Sequence, residues 1–303
     1  MQRIIAGATG LIGSELVKYW LNKNYQITVI GRSKQKIINQ FGASVIACEW
    51  QELSTETIKN AELIVNLAGA NIGDKLWSAQ RKSEIISSRV EATKTIANLC
   101  AHLGQQSPVL FNASAVGIYP FGEETYTEDA TLTTPSSFLS DIAQQWEQAT
   151  LNAKNNNVRV INMRFGVVLA KQGGALPKMA LPFYFFVGGR IGNGQQWLSW
   201  VTLPDICHAI DFIFQNASLN GPINFVAPQT VRQNEFAEIL GKTLHRPSKF
   251  PLPEKVVNLI FGQMGKELLL SGQRVEPKKL IDQGYTFLYP TLTEALQMIY
   301  GKK

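Results

Sequence analysis

The sequence predicts a doubly wound α/β fold, a parallel sheet between helices, with a smaller and mostly helical C-terminal lobe. Three observations predict it. Near the N-terminus a short apolar run, Ile4-Ile5-Ala6, enters Gly7-Ala-Thr-Gly10-Leu-Ile-Gly13 and continues as a helical pattern from Leu11 to Trp20. Further β-branched and apolar runs then alternate with helical patterns, as a parallel sheet with crossover helices requires. From Arg232 onward the pattern turns helical. The expected domains are residues 1–230, holding the sheet, with 170–200 as a lid or cleft insertion, and residues 231–303 as the small lobe.

The glycine spacing has a specific physics. Gly7 permits a tight turn out of the strand, and Gly10 lets backbone approach a pyrophosphate with no Cβ in the way. Gly13 lets the helix lie close on the sheet, and the first helical residues, Leu11 and Ile12, direct unpaired N–H groups toward the phosphates. Thr9 bonds either the turn backbone or a phosphate. The pattern reads as a dinucleotide site; a plain βα turn with packing glycines is the alternative.

Composition agrees with a globular α/β protein. The 303 residues suffice for a full core and a second lobe, and 45% hydrophobic with 17% charged residues is ordinary. The net charge of +6 is scattered, without the basic and aromatic interleaving of nucleic-acid binding, so no nucleic-acid partner is expected. Cys48, Cys100 and Cys207 stand far apart among apolar residues and read as reduced core thiols. His102, His208 and His245 share no ligand spacing with them, so no metal is expected. The longest apolar run, Ala180 to Val187, contains Pro182 and is too short to span a bilayer. A cytoplasmic protein with no membrane partner is expected.

Along the chain, Gln26 to Ile30 is the second strand, ending in Gly31-Arg32-Ser33. A carboxylate after this strand would accept from a ribose 2′-hydroxyl and repel a 2′-phosphate. Here Arg32 and Ser33 stand there, followed by Lys34 and Lys36, which favours NADP(H) over NAD(H). The alternative is a solvated basic turn. Ser44 to Ala47 is a third strand, with Trp50 to Glu52 beside the adenine. Glu62 to Asn66 is a fourth, running into Leu67-Ala68-Gly69, where small residues let backbone approach the cofactor ribose. Ser78 to Leu103 is an amphipathic packing helix stopped by Gly104.

Pro108 to Asn112 is the fifth strand, and Ser114 leaves its carboxyl end, where open α/β sheets place ligands. Ser114 is therefore the first candidate for contact with a reacting oxygen. Residues 120–135 read as a surface loop, 136–154 as a helix, and Val158 to Met163 as a sixth strand leading to Arg164-Phe165-Gly166. The glycine-rich stretch Gly188 to Gly194, followed by Gln195 to Trp200, suits a lid. Arg190, Trp200 and Arg274 are candidate substrate residues. Asp205 at the start of helix 203–216 reads as its cap, and Gly221 to Val226 as the sheet's last, edge strand.

Five stretches carry a family resemblance: Gly7 to Gly13, Val65-Asn-Leu-Ala-Gly69, Arg164-Phe-Gly-Val-Val-Leu169, Gly188-Gly-Arg-Ile-Gly192 and Ser271-Gly-Gln-Arg274. They resemble the extended short-chain dehydrogenase/reductases, the group of nucleotide-sugar epimerases and dehydratases. More narrowly they are similar to an atypical epimerase-family branch, over nearly the whole chain. The resemblance implies a Rossmann-type domain and a lobe closing a substrate cleft. It also exposes a departure. The group's Tyr-x-x-x-Lys pair, on the helix after the fifth strand, is absent from Phe138 to Glu147. Ser114 matches the group's serine, and Tyr119 is the candidate substitute acid/base, with loop packing as its alternative.

Two functions remain open from sequence. One is an NADP(H)-binding oxidoreductase or epimerase-like enzyme acting on an unidentified small hydroxy or keto substrate, nucleotide-linked or free. The other is a non-catalytic NADP(H)-binding sensor or regulatory protein. A monomer or homodimer is expected.

Overall fold

The computed structural model describes residues 1–132 and 134–301. In chain order its first half contains β1 (Gln2–Ala6), α1 (Leu11–Leu21), β2 (Gln26–Gly31), α2 (Lys34–Phe41), β3 (Ile46–Glu49), α3 (Thr55–Ile58), β4 (Ala61–Asn66), α4 (Ala79–Leu103) and β5 (Val109–Ala115). Then come α5 (Phe138–Gln148), α6 (Leu151–Asn155), β6 (Val160–Phe165), α7 (Leu176–Tyr184), α8 (Leu203–Gln215) and β7 (Gly221–Phe225). The remainder is helical: α9 (Gln233–Leu244), α10 (Glu254–Leu269), α11 (Lys278–Asp282) and α12 (Leu292–Tyr300). Two-residue and three-residue strands lie between these elements.

The seven strands form one sheet in the order β3-β2-β1-β4-β5-β6-β7. Every neighbouring pair is parallel. Strand order reverses between β1 and β4, which opens the crevice where such sheets hold ligands. Alternation along the strands builds a core on each face. Ile5 packs with Leu16, Val17 and Trp20 of α1 and with Ile206 and Ile210 of α8. Its neighbour Ile4 joins Ile96, Ala97 and Cys100 of α4 on the opposite face. All three cysteines are buried and unpaired. Among the described residues no helix is long and apolar enough to cross a membrane.

The small lobe recruits residues from both sides of β7. Leu176, Ala180 and Phe183 of α7 share a core with Trp200, with Phe236 and Leu240 of α9, and with Leu292 and Leu296 of α12. The 170–200 segment thus shares its core with the helices that follow β7.

Several elements differ from the sequence reading, each for a local reason. The third strand begins at Ile46, because Gly42–Ser44 form a single 3₁₀ turn. Helix α2 is an element the reading passed over; Ser33 caps it. The helix expected over 136–154 breaks at Thr150, a fully buried residue whose hydroxyl takes the Glu147 carbonyl at 2.7 Å. α10 runs on to Leu269 through a kink at Gly262, whose φ of +53° suits glycine. Thr202, not Asp205, caps α8, its hydroxyl accepting from Asp205 N at 3.2 Å. Asp205 instead accepts from Leu288 N at 2.7 Å, tying the C-terminal loop to the sheet domain. Residues 125–128 of the expected surface loop are also strapped down. Thr125–Tyr126 pairs with Arg274–Val275, and the buried Glu128 accepts from Asn224 N and Lys279 N.

Candidate functional site

The glycine turn has the geometry its spacing implies. Gly7 has φ +80°, and a Cβ there would lie 2.7 Å from the Leu67 carbonyl. A Cβ on Gly13 would lie 2.6 Å from Ala8 Cα, so α1 can approach the turn only with glycine there. Gly10 is different: its nearest atom would be Gly7 O at 3.4 Å, leaving its front open, and Thr9 beside it is exposed. Gly10 is the N-cap of α1 without any side-chain cap, so Leu11 and Ile12 begin a helix whose end is available to an anion.

Opposite the turn, the end of β4 is held by a buried polar cluster. Asn66 donates to Asn112 Oδ1 at 2.7 Å and to Thr93 Oγ1 at 3.0 Å. Thr93 donates to Asn112, and Trp146 donates to Thr93. The Asn66 side-chain Oδ1 accepts from Ala68 N at 3.2 Å, which shapes Leu67-Ala68-Gly69 against Gly7. Ser88 of α4 accepts from Ala70 N and fixes the next residue.

After β2, Ser33 caps α2 by accepting from Lys36 N, and Lys34 pairs with Glu52. Arg32 is exposed and makes no hydrogen bond or ion pair among the described residues. It stands at the end of the strand next to β1, where the adenosine ribose of a dinucleotide lies.

The two candidate reacting side chains meet in one network. Ser114, 2% exposed, donates to Glu147 Oε1 at 2.7 Å. Arg164 grips the same carboxylate with both arms, Nε to Oε1 at 2.8 Å and Nη2 to Oε2 at 2.9 Å. Its Nη1 donates to the Tyr119 hydroxyl at 2.7 Å, and that hydroxyl donates to Asn224 Oδ1 at 2.8 Å. Burial works against the Arg164 charge, but the hydrogen bonds and charge of Glu147 more than offset it, raising the guanidinium pKa. Burial raises the Tyr119 pKa although Arg164 and Asn224 pull the other way. Both hydroxyl protons are therefore directed into the protein.

The three candidate substrate residues have different surroundings. Arg190 is exposed. Arg274 lies over Trp197 at 4.9 Å, with Arg232 also over that ring at 3.6 Å and paired with Glu123. Trp200 has no exposed surface and belongs to the lobe's core, so the expectation that it lines the cleft is corrected: it packs. A cleft of about 600 Å³ lies elsewhere, lined by Phe121, Ser136, Ser137, Asn258, Lys266 and Glu267. Glu267 accepts from Phe138 N and Leu139 N, capping α5 from the small lobe. Sequence reading passed over Asn66, Thr93, Asn112, Glu147 and Glu267. For Asn66 and Asn112 the signal was a polar residue at the end of an apolar strand.

Residues 3–226 match the NAD dependent epimerase/dehydratase family, and residues 252–299 match a domain of unknown function, DUF1731. The chain is 36% identical over 301 residues to an epimerase family protein of Staphylococcus aureus strain MRSA252, covering 99% of each. It is similar to the crystal structure of a human epimerase family protein, SDR39U1, with NADPH, at TM-score 0.88 and 30% identity, covering 99% of each chain. A nucleoside-diphosphate sugar epimerase from Corynebacterium glutamicum matches at TM-score 0.78 and 27% identity, over 99% of this chain and 58% of that one.

Proposed function

Because the chain belongs to the NAD dependent epimerase/dehydratase family, we propose that it binds NADP(H) and acts as an epimerase-like oxidoreductase. Its substrate is a small hydroxy or keto compound of the nucleotide-linked kind. The observation that carries this reading is the glycine turn: Gly7 and Gly13 packed shut, Gly10 open, and an uncapped helix end behind it. Gly7, Thr9, Gly10, Leu11, Ile12 and Gly13 hold the phosphates, Leu67, Ala68 and Gly69 border the ribose, and Arg32 with Ser33 reads the 2′-phosphate. NADPH in the human relative's structure supports the choice of cofactor. Residues 1–230 form the cofactor domain, and 231–303 with the 170–200 segment close the substrate side. The buried unpaired cysteines support a reducing, cytoplasmic location.

The bound nicotinamide supplies hydride exchange with a carbon bearing a hydroxyl or ketone. Ser114 orients the substrate oxygen, held in place by Glu147. Arg164 fixes Glu147 and Tyr119 together, so Tyr119 carries the proton only by displacing an existing bond, and an ordered water is the alternative carrier. That commitment favours the second reading, a sensor that closes on NADP(H) without turnover. Loss of carbonyl turnover in Ser114→Ala decides for the enzyme; tight binding without turnover across a carbonyl panel decides for the sensor.

The cofactor assignment has a direct test. A charge-assisted hydrogen bond to the 2′-phosphate contributes about 1.5–3 kcal/mol. Fluorescence titration is expected to show NADPH binding about tenfold to a hundredfold tighter than NADH, with Arg32→Ala bringing the two together. Equal NADPH and NADH affinity in the wild type would remove Arg32 from the site.

A further inference from the structure

Arg89 is a deeply placed cation with no carboxylate beside it. It rises from α4 beneath the backbone at the end of β4: a Cβ on Gly69 would lie 3.0 Å from Arg89 Cγ and 3.2 Å from Cζ. Its guanidinium lies over the Trp146 ring of α5, 4.9 Å from the centroid. Nη1 donates to the Ile85 carbonyl at 3.0 Å, and no other hydrogen bond or ion pair engages it among the described residues. The other charge acting on it is Arg81, also a cation, whose own partner is Glu84. Burial, with Arg81 adding, lowers the Arg89 pKa to about 10, so the group remains charged at neutral pH.

Taking an unpaired guanidinium out of water is costly, and an apolar side chain of similar volume would fill the space without that cost. Packing alone does not account for the residue. A ligand that brings an anion does. The remaining donors are reachable, since Arg89 is still partly exposed. Its location narrows the anion. The Gly7 turn abuts Leu67 and Ala68, and the next residue, Gly69, rests on Arg89, so turn and guanidinium flank the same strand end. NADP(H) carries two anionic groups. The 2′-phosphate falls to Arg32, on the other side of β1, which leaves the pyrophosphate.

We propose that Arg89 receives a pyrophosphate oxygen of the dinucleotide, adding a side-chain charge to the backbone cradle of the glycine turn. The proposal rests on the NADP(H) reading above and sharpens it: the phosphate site is closed from the β4–α4 side as well as from α1.

Three probes separate the possibilities: NADPH, ADP-ribose (pyrophosphate without 2′-phosphate) and 2′-AMP (2′-phosphate without pyrophosphate). Each is titrated calorimetrically into wild type, Arg89→Gln, Arg89→Lys and Arg32→Ala, with thermal melts of the unliganded proteins. Arg89→Gln is expected to weaken NADPH and ADP-ribose about tenfold to a hundredfold and to leave 2′-AMP unchanged. Arg89→Lys should recover part of the loss, and Arg32→Ala should give the opposite pattern. Unliganded Arg89→Gln should melt close to wild type, because it removes a half-buried charge that has no carboxylate partner. Unchanged ADP-ribose affinity in Arg89→Gln overturns the proposal, whether or not NADPH weakens. So does a uniform loss for all three probes with a lowered melting temperature, which marks a structural role. Failure of the wild type to bind any probe overturns the dinucleotide reading itself, a result distinct from unaltered binding by the variant.

Discussion

Glu147→Gln is expected to lower the unfolding free energy by about 3–5 kcal/mol, the cost of leaving a buried charge without its partner. Arg164 is 3% exposed and lies in β6, an interior strand of the sheet. It makes two bonds to Glu147 and one to Tyr119, so the amide of Gln leaves one acceptor where two charged oxygens stood. The same change alters the Ser114 hydroxyl, which loses a charged acceptor. Denaturant unfolding of wild type, Glu147→Gln and the double change Glu147→Leu with Arg164→Met checks the origin of the loss. The double variant should recover much of the stability, since removing both charges is far less costly than removing one. A loss below about 1 kcal/mol in the single variant would mean that Arg164 is hydrated and that the pair is of the surface kind.

This network also shows where sequence reading reaches and where it stops. The glycine turn was legible because its constraint is local: Gly7 meets residues its own strand brings alongside, and Gly13 meets Ala8. The strands were legible because both faces of the sheet are covered, which makes β1, β2 and β4 continuous apolar runs. The last strand, β7, lies at the sheet's edge, as expected. The Asn66–Thr93–Asn112–Trp146 cluster was not, since its members come from β4, α4, β5 and α5 and no spacing relates them. Trp200 misled for a related reason. An aromatic after a glycine-rich stretch suits a lid, but the lobe that buries it is assembled from α7, α9 and α12, far along the chain. Tyr119 was found as a hydroxyl near Ser114; that Arg164 and Asn224 already occupy it could only be seen in three dimensions.

A second charged group decides whether the glycine turn keeps its footing. Asp211 of α8 is buried, where it accepts from Arg3 of β1, from Trp20 Nε1 at 2.9 Å and from Lys23 Nζ at 2.7 Å. Arg3 is 1% exposed, with its guanidinium 3.8 Å from the Tyr25 ring centroid and 4.6 Å from that of Trp20. One carboxylate thus fastens α8 to β1 and α1, the two elements that carry the turn. Asp211→Asn should lower stability by about 3–5 kcal/mol at neutral pH, because Arg3 stays buried without a counter-charge. Burial by itself would raise the Asp211 pKa, but the bonds from Lys23, Arg3 and Trp20 override it and hold the carboxyl below its ordinary value. A depressed folded-state pKa means that the unfolded chain binds the proton more readily as pH falls. The contribution of Asp211 is therefore fully present above the unfolded value of about 3.9 and is lost as pH falls through the lower folded value. Glu128 works in the opposite sense, since burial raises its pKa, so the wild-type acid profile alone mixes the two. The difference between wild type and Asp211→Asn isolates Asp211: the gap in unfolding free energy should be constant above about pH 5 and shrink below about pH 4. A gap that stays open in acid would mean that the loss comes from shape and hydrogen bonding at α8, not from the charge that Arg3 requires.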